Sequence, residues 1–290
     1  MFLKSVIRSP DLHYTSYQVP NSRGSPREVR QPSPQLMAIQ KTVHKAIKKV
    51  VRWPDFVHGG VPRRGISSNA APHVARVWVA TIDIEKFYAH VSEGHVGRVL
   101  QGLGFRKDAI HAMTRLLTYQ NQLPIGSPTS PILGNLALLP LDRDLRRLIR
   151  RLDLSYSRYI DDIAISGDQD FRHLHGKIVH IIGEHGFRVG GEIAFLHQGR
   201  PQVVAGLTVN GRMRPAGTYI QSVKHSIRAL IRGEYAETAR TFAISRSGLR
   251  STLNGKIAYI ANYDPDAALH LRRLMYAVDW RRCLEVLAGD

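Results

Sequence analysis

The sequence contains a single cysteine, Cys283, among its 290 residues. One thiol excludes an intrachain disulfide framework and any zinc site built on a CxxC pair. No apolar run approaches the roughly 20 residues that a membrane span needs. Residues 1–10 carry charge without the apolar stretch of a signal peptide. These absences predict a cytoplasmic protein that has no membrane partner.

Acidic residues are also scarce, because 23 Asp and Glu stand against 41 Lys and Arg, which gives a formal net charge of +18. A surplus of this size predicts a polyanionic partner whose counterions are released on binding. Hydrophobic residues make up 43% and charged residues 22% of the chain. These fractions are typical of a globular protein with a substantial core, so the composition argues against a disordered binder.

Positive charge is concentrated in two places. Residues 1–60 hold ten Lys and Arg against three Asp and Glu, which predicts a surface that faces a polyanion. A merely solvated helix face explains each of the lysines in this stretch equally well. The second place is residues 141–152, L-D-R-D-L-R-R-L-I-R-R-L. Its leucines form one stripe and its arginines cover the remaining surface.

The arginine-rich segment is interpreted as a structural helix that makes some contact with a nucleic-acid backbone. Asp142 and Asp144 are spaced to pair locally with Arg146 and Arg147. Pro140 is expected to bend the entry of this helix.

Two adjacent carboxylates, Asp161 and Asp162, lie between two β-prone runs in residues 157–167, S-R-Y-I-D-D-I-A-I-S-G. Adjacent carboxylates repel each other, so a folded chain usually keeps them where cations neutralise them. A simple hairpin turn explains an isolated Asp-Asp pair about equally well, because Asp is common in turns. Upstream, residues 77–82 form an apolar run that leads into Asp83 and is followed by two aromatic residues, which favours the metal-binding interpretation.

A Gly, Ser and Pro-rich loop separates these acidic segments, at residues 122–136. Thr129 or Ser130 can cap a following helix, and Pro131 suits its first position. Free amides at such a helix start favour a nearby phosphate. The three segments, a strand ending in Asp, a loop leading into a helix and a Y-x-D-D hairpin, occur in the order used by template-directed polymerases.

The sequence resembles a reverse transcriptase, and among these enzymes it is most similar to the bacterial retron reverse transcriptases. The resemblance covers about residues 25–215. It is carried by six segments in the family's order: R-E-V-R-Q-P-S at 27–33 with Leu36, Ile39 and Gln40 beyond it, S-N-A-A-P-H at 68–73, D-I-E-K-F-Y at 83–88, L-P-I-G-S-P-T-S-P at 123–131, S-R-Y-I-D-D at 157–162 and V-A-G-L-T-V-N at 204–210.

The resemblance implies an α+β right-hand polymerase fold. Residues 1–78 would form an N-terminal segment and the fingers, and residues 216–290 a helical thumb. Residues 79–215 would form the palm, with a small antiparallel sheet backed by helices and with interleaved fingers helices. The implied activity is that of an RNA-directed DNA polymerase, a nucleotidyltransferase. In a retron it copies a structured non-coding RNA into short RNA-linked DNA (msDNA), priming from a 2′-hydroxyl of that RNA. The expected context is anti-phage defence, with a retron effector protein as a further partner.

The resemblance also assigns the site. Asp83, Asp161 and Asp162 would be the catalytic carboxylates and, with the carbonyl of Ile84, would hold two Mg²⁺ ions, for which Mn²⁺ could substitute. Deoxynucleoside triphosphates would be bound by a second group of residues, and the primer–template would be contacted by Tyr159 and Ile160. The nucleotide-binding group comprises Arg27, Tyr88, Gly126 and Ser127, with Tyr88 as a steric gate against the 2′-hydroxyl.

Two departures from the family pattern stand out. Ile125 occupies a position where the family commonly has glutamine, so the hydrogen bond to the incoming sugar is missing. No lysine occurs between Lys177 and Lys224, although relatives usually carry one near the leaving phosphate. Either Arg188 or Arg200 substitutes for it, or catalysis is slow.

Other functions remain open at this point. The chain could be a defence-associated reverse transcriptase without a retron RNA, or a catalytically retired RNA-binding scaffold. Retention of all three acids in a basic protein argues against the scaffold. Asn69 and His73, which match the retron-type segment at residues 68–73, are assigned a structural hydrogen-bonding role.

Overall fold

The computed structural model describes residues 2–21, 24–242 and 248–289. The chain divides into two compact units, Met1–Arg200 and Pro201–Asp290, and each has its own hydrophobic core. Within the described residues, no helix is long and apolar enough to cross a membrane.

The described residues of the first unit form two small sheets, eight α-helices and three short 3-10 turns. Its strands are β1 Tyr14–Asn21, β2 Gly24–Pro32, β3 Trp78–Asp83, β4 Ser155–Tyr159, β5 Asp162–Gly167 and β6 Ala194–His197. Its helices are α1 Phe2–Arg8, α2 Pro34–Val50, α3 Ile66–Ala70, α4 Phe87–His90, α5 Glu93–Gly102, α6 Lys107–Leu117, α7 Ser130–Ile149 and α8 His175–Glu184. The 3-10 turns are Pro10–His13, Ala71–His73 and Arg172–Leu174.

The central sheet has the strand order β4-β5-β3-β6, and every neighbouring pair is antiparallel. Its middle strands are rich in Val, Ile and Ala, which suits strands that are covered by other elements. Val79, Ala80, Ile163 and Ile165 are buried. The expected small antiparallel sheet backed by helices is therefore confirmed.

Strands β1 and β2 form a separate antiparallel hairpin, which leads directly into α2. Ser33 caps that helix by accepting a hydrogen bond from the Leu36 amide at 3.5 Å, and Pro34 occupies its start. The cap therefore fixes where the chain leaves β2 and begins α2.

Helix α7 is the longest of the first unit. It begins after Thr129, as the sequence predicts, but it runs without interruption from Ser130 to Ile149 with Pro140 in its interior. The expectation that Pro140 bends the entry of a separate helix is therefore wrong, because the leucine stripe continues a helix that has already begun. The buried stripe explains this continuity, since Leu138, Leu141 and Leu145 are all fully enclosed and packing overrides the local cost of proline.

The second unit is helical apart from a small antiparallel sheet in the order β7-β8-β9. The strands are β7 Val203–Val204, β8 Leu207–Thr208 and β9 Arg214–Pro215, and the helices are α9 Gly217–Ile231, α10 Tyr235–Phe242, α11 Leu249–Ala261, α12 Pro265–Tyr276 and α13 Trp280–Gly289. Cys283 is buried in the core between these helices. The expected helical C-terminal region is confirmed, whereas the division into fingers, palm and thumb remains a prediction.

Candidate active site

Asp83 and Asp162 are direct partners across two neighbouring strands. Asp83 is the last residue of β3, Asp162 is the first of β5, and the antiparallel register sets them opposite each other. Side chains of directly opposed residues project to the same face of a sheet. The fold therefore brings together two of the three predicted carboxylates that lie far apart in sequence.

Asp161 lies in the two-residue turn that joins β4 to β5. Tyr159 and Asp162 are paired on either side of this turn. Ile160, the first turn residue, has a φ of +59°, a left-handed conformation that β-branched residues rarely adopt. This conformation needs support from the surrounding structure.

The environment of Asp161 disfavours an isolated negative charge. Burial raises the pKa of its carboxyl group above the usual range, and the nearby charge of Asp83 raises it further. The charges of Arg27 and Arg158 act in the opposite direction. A bound cation would relieve both the burial penalty and the repulsion between the two carboxylates.

The donor set at this end of the sheet fits a hard divalent cation. Ile84 is paired with Val189 in an isolated antiparallel bridge, but neither residue makes the bridging hydrogen bonds. These bonds join the flanking residues: the Gly190 amide donates to Asp83 O at 2.7 Å, and the Glu85 amide donates to Arg188 O at 2.8 Å. The carbonyl of Ile84 therefore points away from that segment. Two carboxylates and a carbonyl are oxygen ligands of the kind Mg²⁺ prefers.

The three acids do not form a single cluster. Across the described ranges, no group of three or more His, Cys, Asp or Glu side chains is arranged to hold a metal ion. Mg²⁺ is commonly held by only one or two carboxylates, with substrate phosphates and water as the other ligands. Asp83 therefore interacts electrostatically with Asp161 and is the cross-strand partner of Asp162, but the three carboxylates do not form a complete set of metal ligands.

Gly190 lies directly against the carboxylate of Asp83. A Cβ atom at this position would be 2.5 Å from Asp83 Oδ2, closer than any ordinary contact. Only a residue without a side chain lets the segment at residues 188–190 pass Asp83 this closely. The sequence gives no signal for this role, because Gly190 is one of two adjacent glycines in a turn-like stretch.

Tyr88 and Arg27 face the same region from two other elements. Tyr88, in α4, is largely enclosed. Burial and, to a lesser degree, the charge of Asp161 raise the pKa of its hydroxyl to about 12, against the opposing charge of Arg27. Arg27 lies on β2 and is exposed. Its charge acts on both Asp161 and Tyr88, so the predicted nucleotide-binding residues Arg27 and Tyr88 are brought together with the acids.

The loop before α7 is held against β2. The Arg30 amide donates to Ile125 O at 2.7 Å. Gly126 has a φ of +109°, and a Cβ there would be 2.8 Å from Val29 Cγ1, so glycine is required on both counts. Ser127 is buried and its hydroxyl donates to Gln40 Oε1 at 2.9 Å. Its hydroxyl therefore fastens the loop to α2, while Gly126 is exposed.

Arg158 is a fully buried cation directly behind the turn, with 0% of its side chain exposed. Its Nε and Nη2 donate to the two oxygens of Asp142, each at 2.8 Å. Its Nη1 donates to Ile160 O at 2.7 Å and to Asn135 Oδ1 at 2.8 Å. The turn conformation is thus tied to α7 through one guanidinium group.

This network corrects one expectation and confirms another. Asp142 does not pair with Arg146, because it is buried and bound to Arg158 and to the Tyr156 hydroxyl, which donates at 2.6 Å. Asp144 does pair with Arg147, at 3.0 Å.

The network was missed because the arginine stripe dominates the sequence of this helix. A helical projection would have revealed it, since Asn135 and Asp142 are seven residues apart and share a face with Leu138 and Leu145. Polar residues on such an apolar face require buried partners.

His73 connects β4 to β5, as its predicted structural role requires. Its Nδ1 lies 2.6 Å from Ser166 Oγ and its Nε2 lies 2.8 Å from Ser157 Oγ. Ser157 Oγ donates to the backbone carbonyl of Asn69 at 3.0 Å, so it must accept from Nε2–H, which assigns the neutral tautomer. Burial, together with the charges of His58 and Arg76, lowers the pKa of His73 to about 4.

The two arginines considered as replacements for the missing lysine lie at opposite ends of the sheet. Arg188 is exposed and its carbonyl is bonded to Glu85, next to Asp83. Arg200 follows β6 beyond His197, which pairs with Trp78. Five residues of strand separate Trp78 from Asp83, a distance of roughly 16 Å, so position favours Arg188.

Comparison with known proteins gives a consistent result. The family described as "Reverse transcriptase (RNA-dependent DNA polymerase)" has a sequence model that matches residues 19–194 of this chain. The Retron Mx65 reverse transcriptase of Myxococcus xanthus is 29% identical over 282 residues, which cover 90% of this chain and 64% of that protein. The Retron Ec86 reverse transcriptase of Escherichia coli is 31% identical over 167 residues, 57% of this chain and 52% of that protein.

A further relative, the Retron Se72 reverse transcriptase of Salmonella heidelberg, is 31% identical over 167 residues, 57% of this chain and 44% of that protein. The chain therefore spans between 44% and 64% of the length of these relatives.

Two solved structures share the fold. One is telomerase from Candida albicans with a fragment of telomeric RNA, at a TM-score of 0.53 and 12% identity, covering 94% of this chain and 60% of that one. The other is apo telomerase from Candida tropicalis, at a TM-score of 0.50 and 10% identity, covering 70% of this chain and 54% of that one. At such identities the likeness concerns the fold alone.

Proposed function

Because the protein belongs to the reverse transcriptase family, we propose that it is an RNA-directed DNA polymerase whose nucleotidyl transfer takes place at Asp83 and Asp161. One observation supports this proposal: the strand register sets Asp83 opposite Asp162, the residue that directly follows Asp161 in the turn. Two carboxylates in mutual repulsion, beside the cation of Arg27, form a site suited to metal ions and a triphosphate.

In this proposal Asp83, Asp161 and the carbonyl of Ile84 hold two Mg²⁺ ions, or Mn²⁺ in their place. When bound, the ions would activate the primer hydroxyl and neutralise the departing pyrophosphate. Asp162 supports Asp83 as its partner across the strands. Arg188, beside Glu85, is the cation best placed to assist at the leaving group.

The remaining residues bind and orient the substrates. Arg27 contacts the triphosphate as a cation. Tyr88 lies beneath the sugar and excludes a 2′-hydroxyl. The adjacent ring of Phe87 packs against Gly134, which leaves no room for a side chain there. Gly126 offers an exposed backbone to the nucleotide, whereas Ser127 acts by holding the loop in place. Tyr159 and Ile160 lie along the minor groove of the primer–template.

The retron relatives support a narrower proposal. The template would be a structured non-coding RNA, the product a short DNA linked to that RNA, and the setting anti-phage defence in the cytoplasm with an effector protein as partner. The fingers, palm and thumb assigned from the sequence would then hold the RNA, the site and the duplex. The missing lysine predicts a slower enzyme than lysine-bearing relatives, and Ile125 predicts an altered fidelity or nucleotide affinity.

The experiment compares the wild-type protein with Asp83→Asn and Asp161→Asn on a primed RNA template. Each substitution removes one charge with little change in volume, so we expect incorporation of deoxynucleotides to fall to background while RNA binding is retained. Asp108→Asn, an exposed acid that pairs with Arg106, is the matched control and should incorporate normally. Normal incorporation by Asp161→Asn would overturn the site assignment.

A second measurement addresses the retron proposal separately. Nucleic acid that co-purifies with the protein is extracted and sequenced from cells that carry the intact genomic locus. A branched RNA–DNA species supports the proposal, and its absence removes the retron assignment without affecting the polymerase site.

A further inference from the structure

The exposed side of the C-terminal half of α7 is a face of arginines. Arg143, Arg146, Arg147, Arg150 and Arg151 recur every three or four residues, with Arg150 and Arg151 just past the last helical residue, and all five are exposed. Residues at this spacing lie above one another on one side of a helix. Like charges stacked in this way repel each other, so a purely structural helix would benefit from acids among them.

The two acids of the segment do not neutralise this face. Asp142 is enclosed and its two oxygens are taken by Arg158 and Tyr156. Asp144 is shared between Arg147 and His185, at 3.0 Å and 2.9 Å. As far as the described part of the chain shows, no carboxylate lies within ion-pair distance of Arg143, Arg146, Arg150 or Arg151.

Two other exposed arginines of the same unit are paired with acids. Arg106 pairs with Asp108 at 2.9 Å, and Arg172 pairs with Asp170 at 2.6 Å. Each of these cations has its own acid two residues away. Arg106 and Arg172 can therefore serve as charge-matched references whose cations are already neutralised by acids.

Two cavities flank the arginine face and share part of their lining. One has a volume of about 690 Å³ and the other about 780 Å³, and Phe56, Arg143 and Arg146 line both. The guanidinium of Arg146 lies 4.3 Å from the centroid of the Phe56 ring, which fixes its orientation.

Further cations line the two cavities. Arg52 and Arg98 line the first, and Arg150 lines the second. The only acid in either lining is Asp55. The positive charge of the face is thus extended across both cavities.

We propose that this arginine face, together with Arg52 and Arg98, binds the phosphate backbone of RNA at a site separate from the catalytic end of the sheet. Arg143 and Arg150 lie roughly 20 and 30 Å along α7 from Ser130. Guanidinium groups match phosphate oxygens in geometry and keep their charge at every physiological pH. Few hydrogen-bond acceptors accompany them, so the face would read the backbone rather than the bases.

Charge distribution favours RNA over an acidic protein as the occupant. The buried centre of a protein–protein interface is depleted in charge, whereas here unpaired arginines occupy the middle of the surface. Nucleic-acid interfaces are far more positive than protein interfaces. The inference rests on the proposed function in one respect, namely that this protein holds an RNA.

The test measures the salt dependence of RNA binding for the full-length protein. A fluorescently labelled RNA hairpin is titrated with wild type, with Arg143→Gln/Arg150→Gln and with Arg106→Gln/Arg172→Gln, over about 50 to 200 mM salt. Both double variants lose the same charge, but only the first loses cations without acidic partners. Arg146 is left intact because it packs on Phe56.

We expect Arg143→Gln/Arg150→Gln to bind more weakly and to reduce the slope of log K against log salt by about 2, or about 1 for each phosphate that is no longer bound. The control variant should retain the wild-type slope. Equal slopes for all three proteins would overturn the proposal and leave an acidic protein segment as the occupant. Failure of the wild type to extend a primed RNA would instead contradict the proposed polymerase function, so the two failures are distinguishable.

Discussion

The guanidinium of Arg158 donates a hydrogen bond of 2.7 Å to the carbonyl oxygen of Ile160. Ile160 is the turn residue with positive φ, and Asp161 follows it immediately. The same guanidinium is held by Asp142 on α7. The orientation of the Asp161 carboxylate therefore depends on a buried ion pair in the core.

Arg158→Lys tests this dependence. Lysine keeps the positive charge, but its compact ammonium group cannot reach both oxygens of Asp142 and Ile160 O at the same time. We expect the rate of nucleotide incorporation to fall by about 10²-fold, because small displacements of catalytic groups have effects of this size, while KM for the nucleotide changes little. Thermal unfolding, followed in parallel, shows that the variant is folded.

Arg115→Lys is the matched control for this substitution. Arg115 is partly enclosed, where Arg158 is fully buried, and it is likewise bonded to an acid and to a backbone carbonyl, those of Glu93 and Ile7. It lies outside the candidate site. The Arg115→Lys variant should be less stable than the wild type but should incorporate nucleotides at the same rate. A folded Arg158→Lys protein with the wild-type rate would show that the turn holds its conformation unaided.

Gly190→Ala should disturb Asp83 directly. The added methyl group would meet Asp83 Oδ2 at 2.5 Å, so the carboxylate must turn away at a cost of about 1 to 3 kcal/mol. If that cost falls on the reaction, incorporation drops roughly 10- to 100-fold, and more Mg²⁺ is needed for half-maximal rate. Gly176→Ala, where nothing lies within 4 Å, should leave both values unchanged, and equal magnesium curves would contradict this account.

The stability of the protein should fall in mild acid because of His73. Its pKa is about 4 in the folded state and about 6.5 when unfolded, so the unfolded chain binds more protons between these values. The free energy of unfolding is therefore unaffected above about pH 6.5 and decreases as the pH falls towards 4, by up to about 3 kcal/mol. Urea unfolding at several pH values measures this slope.

His73→Gln serves as the comparison for that measurement. Glutamine can still hydrogen-bond but does not titrate, so the variant should have a smaller pH slope than the wild type. His58 and His95 also have lowered pKa values because of burial, which is why both proteins retain part of the slope. Identical slopes would show that His73 does not titrate in this range.

Tyr88→Ala should admit ribonucleotides. Tyr88 lies beside the acids, as its link to Asp161 shows, and removal of the ring would open space for a 2′-hydroxyl. We expect the preference for deoxynucleotides, measured as the ratio of kcat/KM values, to fall roughly 10- to 100-fold. Tyr88→Phe keeps the ring and should keep the preference. Loss of preference in both variants would assign discrimination to the hydroxyl group instead.

Much of the fold could be predicted from short sequence signals. The helix start at Thr129 was indicated by capping residues, and the helical C-terminal region was implied by the family resemblance. The continuation of α7 through Pro140 could not be predicted. The local cost of proline is evident from the sequence, whereas the compensating burial of Leu141 and Leu145 is a tertiary effect.

The candidate site shows the same limit. The order of the motifs predicts that Asp83 and Asp161 converge, but the strand register that sets Asp83 opposite Asp162 depends on packing between distant segments. The role of Gly190 could not be predicted from the sequence, because it depends on the space that the missing side chain leaves for the carboxylate of Asp83. The buried role of Arg158 on β4 can be inferred only through its partners on α7, because Asn135 and Asp142 are polar residues on the apolar face of that helix.

The left-handed backbone of Ile160 has a consequence for the growing chain on the ribosome. A short peptide containing the two strands and their turn would not hold this shape, because it lacks Asn135 and Asp142, which fix the arginine. A nascent chain would gain its reactive geometry only after the long helix has docked. Incompletely folded molecules would therefore lack the arrangement on which the proposed polymerase activity depends.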